Sequence, residues 1–227
     1  MKYFHRFVKY KTFLILERGK QIAHYLLEIQ AVRLNVEKPF QWASGWLSPI
    51  YCDNRVSLSY PVIRTFIRDS FVQTIRQSFS SAEAICGVAT GGIPQGALVA
   101  DQFHLPFLYA RTSPKAHGLT NLIEGKIQAG EKVVVLEDLI STGESSFRVV
   151  EALRKTGAEI IGLCSIFSYE FQQAKDLFSK NNVSIQSLCT FSTLMEVAKE
   201  KKYISNAQLQ IIEEWRKQPG SWKKALS

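Results

Sequence analysis

The sequence lacks a C-x-x-C pair: its four cysteines, Cys52, Cys86, Cys164 and Cys189, stand far apart. That spacing excludes a disulfide framework and a structural zinc site. It fits a reducing compartment, so a cytoplasmic location is expected and all four thiols are read as small core hydrophobes. The chain also lacks any apolar run of membrane-spanning length. The basic, aromatic start MKYFHRFVKYKTFLILERGK has only Phe13 to Leu16 as an unbroken apolar run, too short for a secretory signal, and no small-residue cleavage site follows. Residues 1–16 are therefore expected to be a basic cytoplasmic extension, with a seat on anionic lipid as the alternative. There are no internal repeats and no low-complexity segment.

Charge is scarce where a nucleic-acid footprint would need it. The formal net charge is +8, but residues 1–20 carry +5 and residues 199–227 carry +4, leaving −1 for the body between them. Nucleic-acid footprints lie across a folded face, whereas this basicity sits at the two ends. No nucleic-acid partner and no membrane partner are expected.

What the sequence does contain is ample apolar material, 46% of 227 residues, enough for one α/β domain with an appendage. Ile22, Tyr25, Leu26, Ile29 and Val32 recur at helical spacing and predict a helix over about 17–35. A Gly-, Pro-, Ser- and aromatic-rich stretch, KPFQWASGWLSPIYCDNR (38–55), reads as a loop around a short strand near Pro49–Cys52. Pro61 suits the first position of the next helix, on which Ile63, Ile67, Phe71 and Ile75 form one ridge.

From residue 83 onward, unbroken apolar runs alternate with helical segments. AICGVA, PFLYA, KVVVLE and EIIGLCSIF are strand candidates; TGGIPQGALVADQF is a loop turning into a helix, and Glu144–Thr156 is a helix stopped by Gly157. Strands buried on both faces and alternating with helices form a parallel sheet. The C-terminal third is read as mostly helical, with a last helix near Asn206–Lys217 ahead of Pro219 acting as a cap. Arg111 to Gly130 is a long polar connection where a helix would be expected, and it carries Arg111, Lys115, His117 and Lys126. Long structureless connections inside compact domains are often functional.

The chemistry concentrates in VVVLEDLISTGES, Val133 to Ser145. Ligands of parallel α/β sheets sit beyond the carboxyl ends of the strands, and Glu137 and Asp138 fall at that edge. Ser141, Thr142, Gly143 and Ser145 then run into a helix, and backbone N–H groups at such a turn make an anion site. The carboxylates cannot serve the same phosphate. They need hydroxyl donors or a hard cation, which points to a ribose 5-phosphate, with a diphosphate at the other end if Mg²⁺ takes part. The bland alternative is a surface turn with two solvated acids. A nucleotide-triphosphate site is the sharper rival, but the G-x-x-x-x-G spacing from Gly91 to Gly96 is followed by Ala97 and Leu98, so no P-loop lysine is present.

VVVLEDLISTGES resembles the phosphoribosyl-diphosphate signature of the type I phosphoribosyltransferases. FQWASGWLSPIYCDNR resembles the base-recognition segment of the orotate phosphoribosyltransferases, and RTSPKAHG resembles their mobile catalytic loop; the resemblance covers about residues 17–205. It implies the type I fold: an α/β domain with a mostly parallel central sheet flanked by helices and a small N-terminal hood. The implied organisation is an extension at 1–16, a helix and hood at 17–60, the core at 61–205, and a helix and tail at 206–227.

The implied reaction is phosphoribosyl transfer from phosphoribosyl diphosphate to orotate, with Mg²⁺ carried mainly by the diphosphate and ribose hydroxyls. By the same resemblance Glu137 and Asp138 hold the ribose hydroxyls, and the loop from Leu139 and Ile140 through Ser141, Thr142, Gly143, Glu144 and Ser145 cradles the 5′-phosphate. Thr90 and Gly91 line the diphosphate, while Arg111, Lys115 and His117 bind it and act in catalysis. Ser141, Ser44, Gly45, Tyr51 and Tyr169 are the implied orotate contacts, with Ser48 as a further donor. A homodimer sharing the loop between subunits is implied.

Three positions depart from the family's commonest pattern. Ala43 stands where many members have lysine before Ser-Gly, Thr112 stands where lysine often follows the loop arginine, and Tyr169 aligns near an arginine that meets the base. Two rivals stay open at this level. One is a purine phosphoribosyltransferase, which would lack the SGWLSPIYCDNR segment; the other is a regulator that kept the fold and binds nucleic acid through its basic ends.

Overall fold

A computed structural model describes residues 2–112 and 122–222, with side chains described from Ile15 onward. Among the described residues no helix is long and apolar enough to cross a membrane. The chain packs as two compact units, residues 57–188 and residues 1–56 with 189–227. The organisation expected from sequence divides the chain at 16/17, 60/61 and 205/206. Helix α6 (Phe191–Glu200) lies against α1 (Lys2–Glu28) within the second of the two compact units.

The unit 57–188 is built on a parallel sheet. Helix α2 (Pro61–Ser78) starts with proline at its first position, where the missing N–H costs nothing. Its buried residues Ile63, Ile67, Phe71 and Ile75 are the predicted ridge. The strands are β5 (Ala84–Val88), β6 (Phe107–Ala110), β7 (Ile123–Glu124), β8 (Lys132–Ile140), β9 (Glu159–Ser168) and β10 (Ile185–Thr190). Their order is β10-β9-β8-β5-β6-β7, with β5, β6, β8 and β9 mutually parallel and β7 antiparallel to β6. Helices α3 (Gly92–Phe103), α4 (Glu144–Lys155) and α5 (Gln172–Lys180) complete the βαβ pattern.

Every residue of β5 is buried, and Val133 to Leu136 of β8 are fully covered. That explains why these strands read as continuous apolar runs rather than alternating ones. Each buried Val, Ile or Leu among them contributes about 1.5–3 kcal/mol by leaving water.

The unit of residues 1–56 and 189–227 holds two small antiparallel pairs. One joins β1 (Val32–Leu34) to β4 (Ile50–Cys52), and the other is a hairpin of β2 (Phe40–Gln41) and β3 (Leu47–Ser48). The predicted last helix is α7 (Asn206–Lys217), started by a capping box between Ser205 and Gln208. Its Trp215, 0% exposed, meets Trp42 edge-on at 5.7 Å and donates its indole N–H to Leu47 O at 3.0 Å. The hairpin is thereby fixed to the C-terminal helix.

Five expectations change. The first helix begins well before residue 17 and ends at Glu28, not near 35. Gln30 adopts the left-handed conformation (φ 56°), and Val32 enters β1 because it pairs with Cys52. The strand β8 does not stop at Glu137 but runs on to Ile140, where Leu139 and Ile140 pair with Phe167 and Ser168. The C-terminal third contains the strand β10, and the polar connection after Arg111 contains β7. Of the four thiols, Cys86, Cys164 and Cys189 are buried as expected, whereas Cys52 is half-buried with its Sγ 3.4 Å from Asn54 Oδ1.

Candidate active site

The parallel strands β6, β5, β8 and β9 lie side by side, so their carboxyl ends form one edge. Arg111 follows β6, Ala89 to Gly91 follow β5, Ser141 to Gly143 follow β8, and Tyr169 follows β9. This is the edge at which α/β sheets take ligands.

The turn from β8 into α4 makes an anion cradle. Gly143 caps the helix at φ +82°, a left-handed conformation, and a Cβ there would lie 2.7 Å from the Phe178 ring. Only glycine satisfies both conditions without strain. Phe147 N–H donates to Gly143 O at 2.9 Å, so the N–H groups of Glu144, Ser145 and Ser146 precede the first helical bond. With the positive end of the α4 dipole behind them, these groups suit a phosphate. Ser141 and Thr142 are half-buried and Ser145 is exposed, so their hydroxyls border the turn. The Glu144 carboxylate turns aside, accepting from Gln173 Nε2 at 3.0 Å and lying 4.0 Å from Arg148. Its backbone can serve an anion while its charge is held elsewhere.

The acid pair divides into a buried and a half-exposed member because consecutive strand residues point to opposite faces. Glu137 is only 6% exposed. Its Oε1 accepts from the Asp138 N–H at 3.0 Å, and its Oε2 accepts from the Ser146 hydroxyl at 2.8 Å. Burial pushes the Glu137 carboxyl well above the usual range; the Asp138 charge adds to that, and the Ser146 hydrogen bond opposes it.

Asp138 lies half-buried over the turn that follows β5. A Cβ at Gly91 would coincide with the Asp138 carboxyl group, and one at Gly92 would run into Leu136 O. The two glycines therefore let the Thr90–Gly91 turn lie flush on β8, bringing the predicted diphosphate turn and the predicted ribose acid together. Thr90 itself is exposed, and the peptide bond between Ala89 and Thr90 is cis.

Arg111 is held at the β6 end by its N–H, which donates to Leu122 O at 2.8 Å, and by an ion pair of Nε with Glu124 Oε1 at 3.7 Å. That Nε is buried and makes no hydrogen bond among the described residues. Lys115 and His117 lie outside the described residues. No group of three His, Cys, Asp or Glu side chains suited to a metal ion occurs among the described residues.

The expected base contacts are placed unevenly. Ser44 and Gly45 form the exposed tip of the β2–β3 hairpin, where Gly45 has φ +84° and its N–H donates to Trp42 O at 2.8 Å. Tyr51 is half-buried, with its ring 4.8 Å from the Arg33 guanidinium and 5.7 Å from Phe40. Two expectations are corrected. Tyr169 is 1% exposed, edge-on to Phe167 at 5.1 Å and stacked on Phe171 at 5.4 Å, so its ring is core and offers no face to a ligand. Ser48 is fully buried and its hydroxyl is spent on Ile50, donating to Ile50 O at 2.7 Å.

Sequence reasoning missed Ser146, which bonds Glu137, and Glu124, which faces Arg111. The first was legible in helical phase. Ser146 stands three and four residues before Val149 and Val150, on the buried stripe of α4, whereas Ser145 does not.

Residues 62–192 match the family described as "Phosphoribosyl transferase domain". The chain is 53% identical over 205 residues to the orotate phosphoribosyltransferase of Cytophaga hutchinsonii, covering 90% of this chain and 98% of that one. Its fold matches the crystal structure of orotate phosphoribosyltransferase from Aeropyrum pernix with a TM-score of 0.71 at 28% identity, over 81% of this chain and 99% of that one. The fold alone is shared with an adenine phosphoribosyltransferase from Leishmania tarentolae, at a TM-score of 0.58 and 19% identity, over 78% of this chain and 90% of that one. Fold therefore leaves the base open, whereas near-full-length identity above one half narrows it: the chain belongs to the orotate phosphoribosyltransferases of the phosphoribosyl transferase family.

Proposed function

We propose that this protein transfers the 5-phosphoribosyl group from phosphoribosyl diphosphate to orotate, giving orotidine 5′-phosphate and diphosphate in pyrimidine synthesis. The observation that carries the reading is the Asp138 carboxyl group set against the Gly91 turn, six residues ahead of the first turn of α4. A carboxylate for sugar hydroxyls thus adjoins a phosphate cradle on one side and a glycine turn on the other.

In this reading the N–H groups at the start of α4, with Ser141, Thr142 and Ser145, hold the 5′-phosphate, and Asp138 and Glu137 accept from the ribose hydroxyls. Thr90 and Gly91 border the diphosphate. Arg111, Lys115 and His117 hold the diphosphate as its bond to the anomeric carbon stretches. The ribosyl carbon gains oxocarbenium character while the leaving group gains negative charge. Fixed cations aimed at that charge lower the barrier, each accounting for about 10²–10³ in rate. Arg111, whose Nε lies 3.7 Å from Glu124 Oε1, supplies one of these cations.

Magnesium fits the donor rather than a protein cage. It would keep waters and substrate phosphates as ligands and need few side chains. Bound there, it would neutralise diphosphate charge. Ser141 acts on the base; for Ser44, Gly45 and Tyr51 the support for a role in base recognition is the resemblance of FQWASGWLSPIYCDNR. The enzyme works in the cytoplasm as a homodimer; the wide spacing of its four cysteines, with no C-x-x-C pair, supports the reducing compartment.

The donor half is tested by calorimetric titration with phosphoribosyl diphosphate and Mg²⁺. Saturable binding that weakens at least about tenfold in Asp138→Asn is expected, since a hydrogen bond to a charged group is lost. Equal binding by the variant contradicts the assignment.

A further inference from the structure

The buried end of the acid pair has a partner whose side chain the proposed site does not use. Ser146, fully buried on the first turn of α4, donates its hydroxyl to Glu137 Oε2 at 2.8 Å, while the Asp138 N–H holds Oε1. We infer that Ser146 is a positioning residue for the donor substrate: it fixes the Glu137 carboxylate in the orientation that receives the ribose hydroxyls, and couples that carboxylate to the phosphate-binding turn of the same helix. The inference rests on the proposed role of Glu137.

The geometry gives the coupling a physical path. Ser146 is the third residue of α4, so its backbone belongs to the phosphate cradle while its side chain reaches back to β8. A phosphate that draws the α4 terminus into place therefore also sets the acceptor for the sugar. A carboxylate anchored at both oxygens loses rotational freedom before the substrate arrives, which favours binding through preorganisation. Ser145 cannot do this, because it is exposed on the other side of the turn.

The groups around Glu137 are few. Asp138 neighbours it on β8, Ser146 faces it from α4, the uncharged Ser165 is its register partner on β9, and Gly92 of α3 touches its backbone. Burial and Asp138 favour the protonated carboxyl, and the Ser146 hydroxyl favours the ionised one. Removing that hydroxyl moves the carboxyl toward higher pH, so an ionised Glu137 is reached later in an alkaline titration.

The test compares wild type, Ser146→Ala and Ser146→Thr as full-length enzymes. It measures the affinity for phosphoribosyl diphosphate with Mg²⁺ by calorimetry without acceptor, the KM for each substrate, and the pH profile of kcat/KM. Ser146→Ala is expected to weaken donor binding about tenfold, leave the KM for orotate unchanged, and move the acid limb to higher pH. Its melting temperature falls, because a buried carboxyl group loses its donor and the better helix propensity of alanine offsets only part of that. Ser146→Thr, which keeps the hydroxyl, recovers donor affinity and the acid limb. Unchanged donor affinity with an unmoved acid limb in Ser146→Ala overturns the inference. So does a folded Ser146→Thr that behaves like the alanine variant, or an equal loss for both substrates. Absence of orotate turnover in wild type would defeat the proposed acceptor instead, and the calorimetric comparison would still decide the role of Ser146.

Discussion

The Asp138 carboxyl group occupies the volume that a β-carbon at residue 91 would need, so the turn after β5 and the strand β8 meet only because residue 91 is glycine. Gly91 has φ −65°, an ordinary value, so the constraint is space and not backbone conformation. Gly91→Ala is expected to displace Asp138, raise the KM for phosphoribosyl diphosphate at least tenfold, and cost about 1–3 kcal/mol of stability through overpacking. Steady-state kinetics and thermal melting check both parts. A variant with wild-type kinetics would remove this contact from the site.

Glu137 links stability to pH in the opposite sense from a surface carboxylate. Its folded-state pKa is raised, chiefly by burial, so the native state binds the proton more tightly than the unfolded chain does. The contribution is favourable at low pH and is lost as pH rises through the folded-state value. Glu137→Gln, permanently neutral, is expected to melt above wild type near neutral pH. The gap closes toward about pH 4, the ordinary carboxyl range. Its kcat/KM falls meanwhile, since the ribose acceptor is weakened. Melting curves across that pH range check the sign, and a gap that widens in acid contradicts it.

Trp215 ties α7 to the β2–β3 hairpin by one hydrogen bond and one aromatic contact. Trp215→Phe deletes the indole donor to Leu47 O and leaves a small void. A loss of about 1–3 kcal/mol is expected, or roughly 2–10 °C in Tm for a chain of this size. A Tm within a degree of wild type would show that the hairpin is held by other contacts.

Lys115 lies in the segment proposed to bind the leaving diphosphate. Lys115→Ala is expected to lower kcat about 10²–10³-fold with little change in Tm. Mixing it with Asp138→Asn subunits tests the shared loop: hybrid dimers recover activity through one intact site. No recovery after demonstrated subunit exchange argues that each site is complete within one chain.

Much of this was legible in the residues. The ridge Ile63, Ile67, Phe71 and Ile75 has one period behind Pro61, the run Val133 to Leu136 is unbroken, and the segment Asn206–Lys217 ends ahead of Pro219; each folds as read. Val32 was misread because it continues a helical stripe, yet its place is decided by pairing with Cys52, twenty residues away. The end of β8 was misread because charged residues look like a strand terminus, whereas β9 goes on pairing as far as Ile140 and Ser168. The contact of Asp138 with Gly91 joins residues almost fifty positions apart, which no local period encodes. Tyr169 was placed at the base by resemblance, but its neighbours Phe167 and Phe171 draw it into the core.

The central claim is tested most directly by following orotate absorbance in the presence of the purified enzyme, phosphoribosyl diphosphate and Mg²⁺. Orotate is expected to disappear at a rate set by enzyme concentration, with diphosphate formed in equal amount and no reaction on adenine, hypoxanthine or xanthine. Persistence of orotate together with turnover of one of those purines would contradict the account.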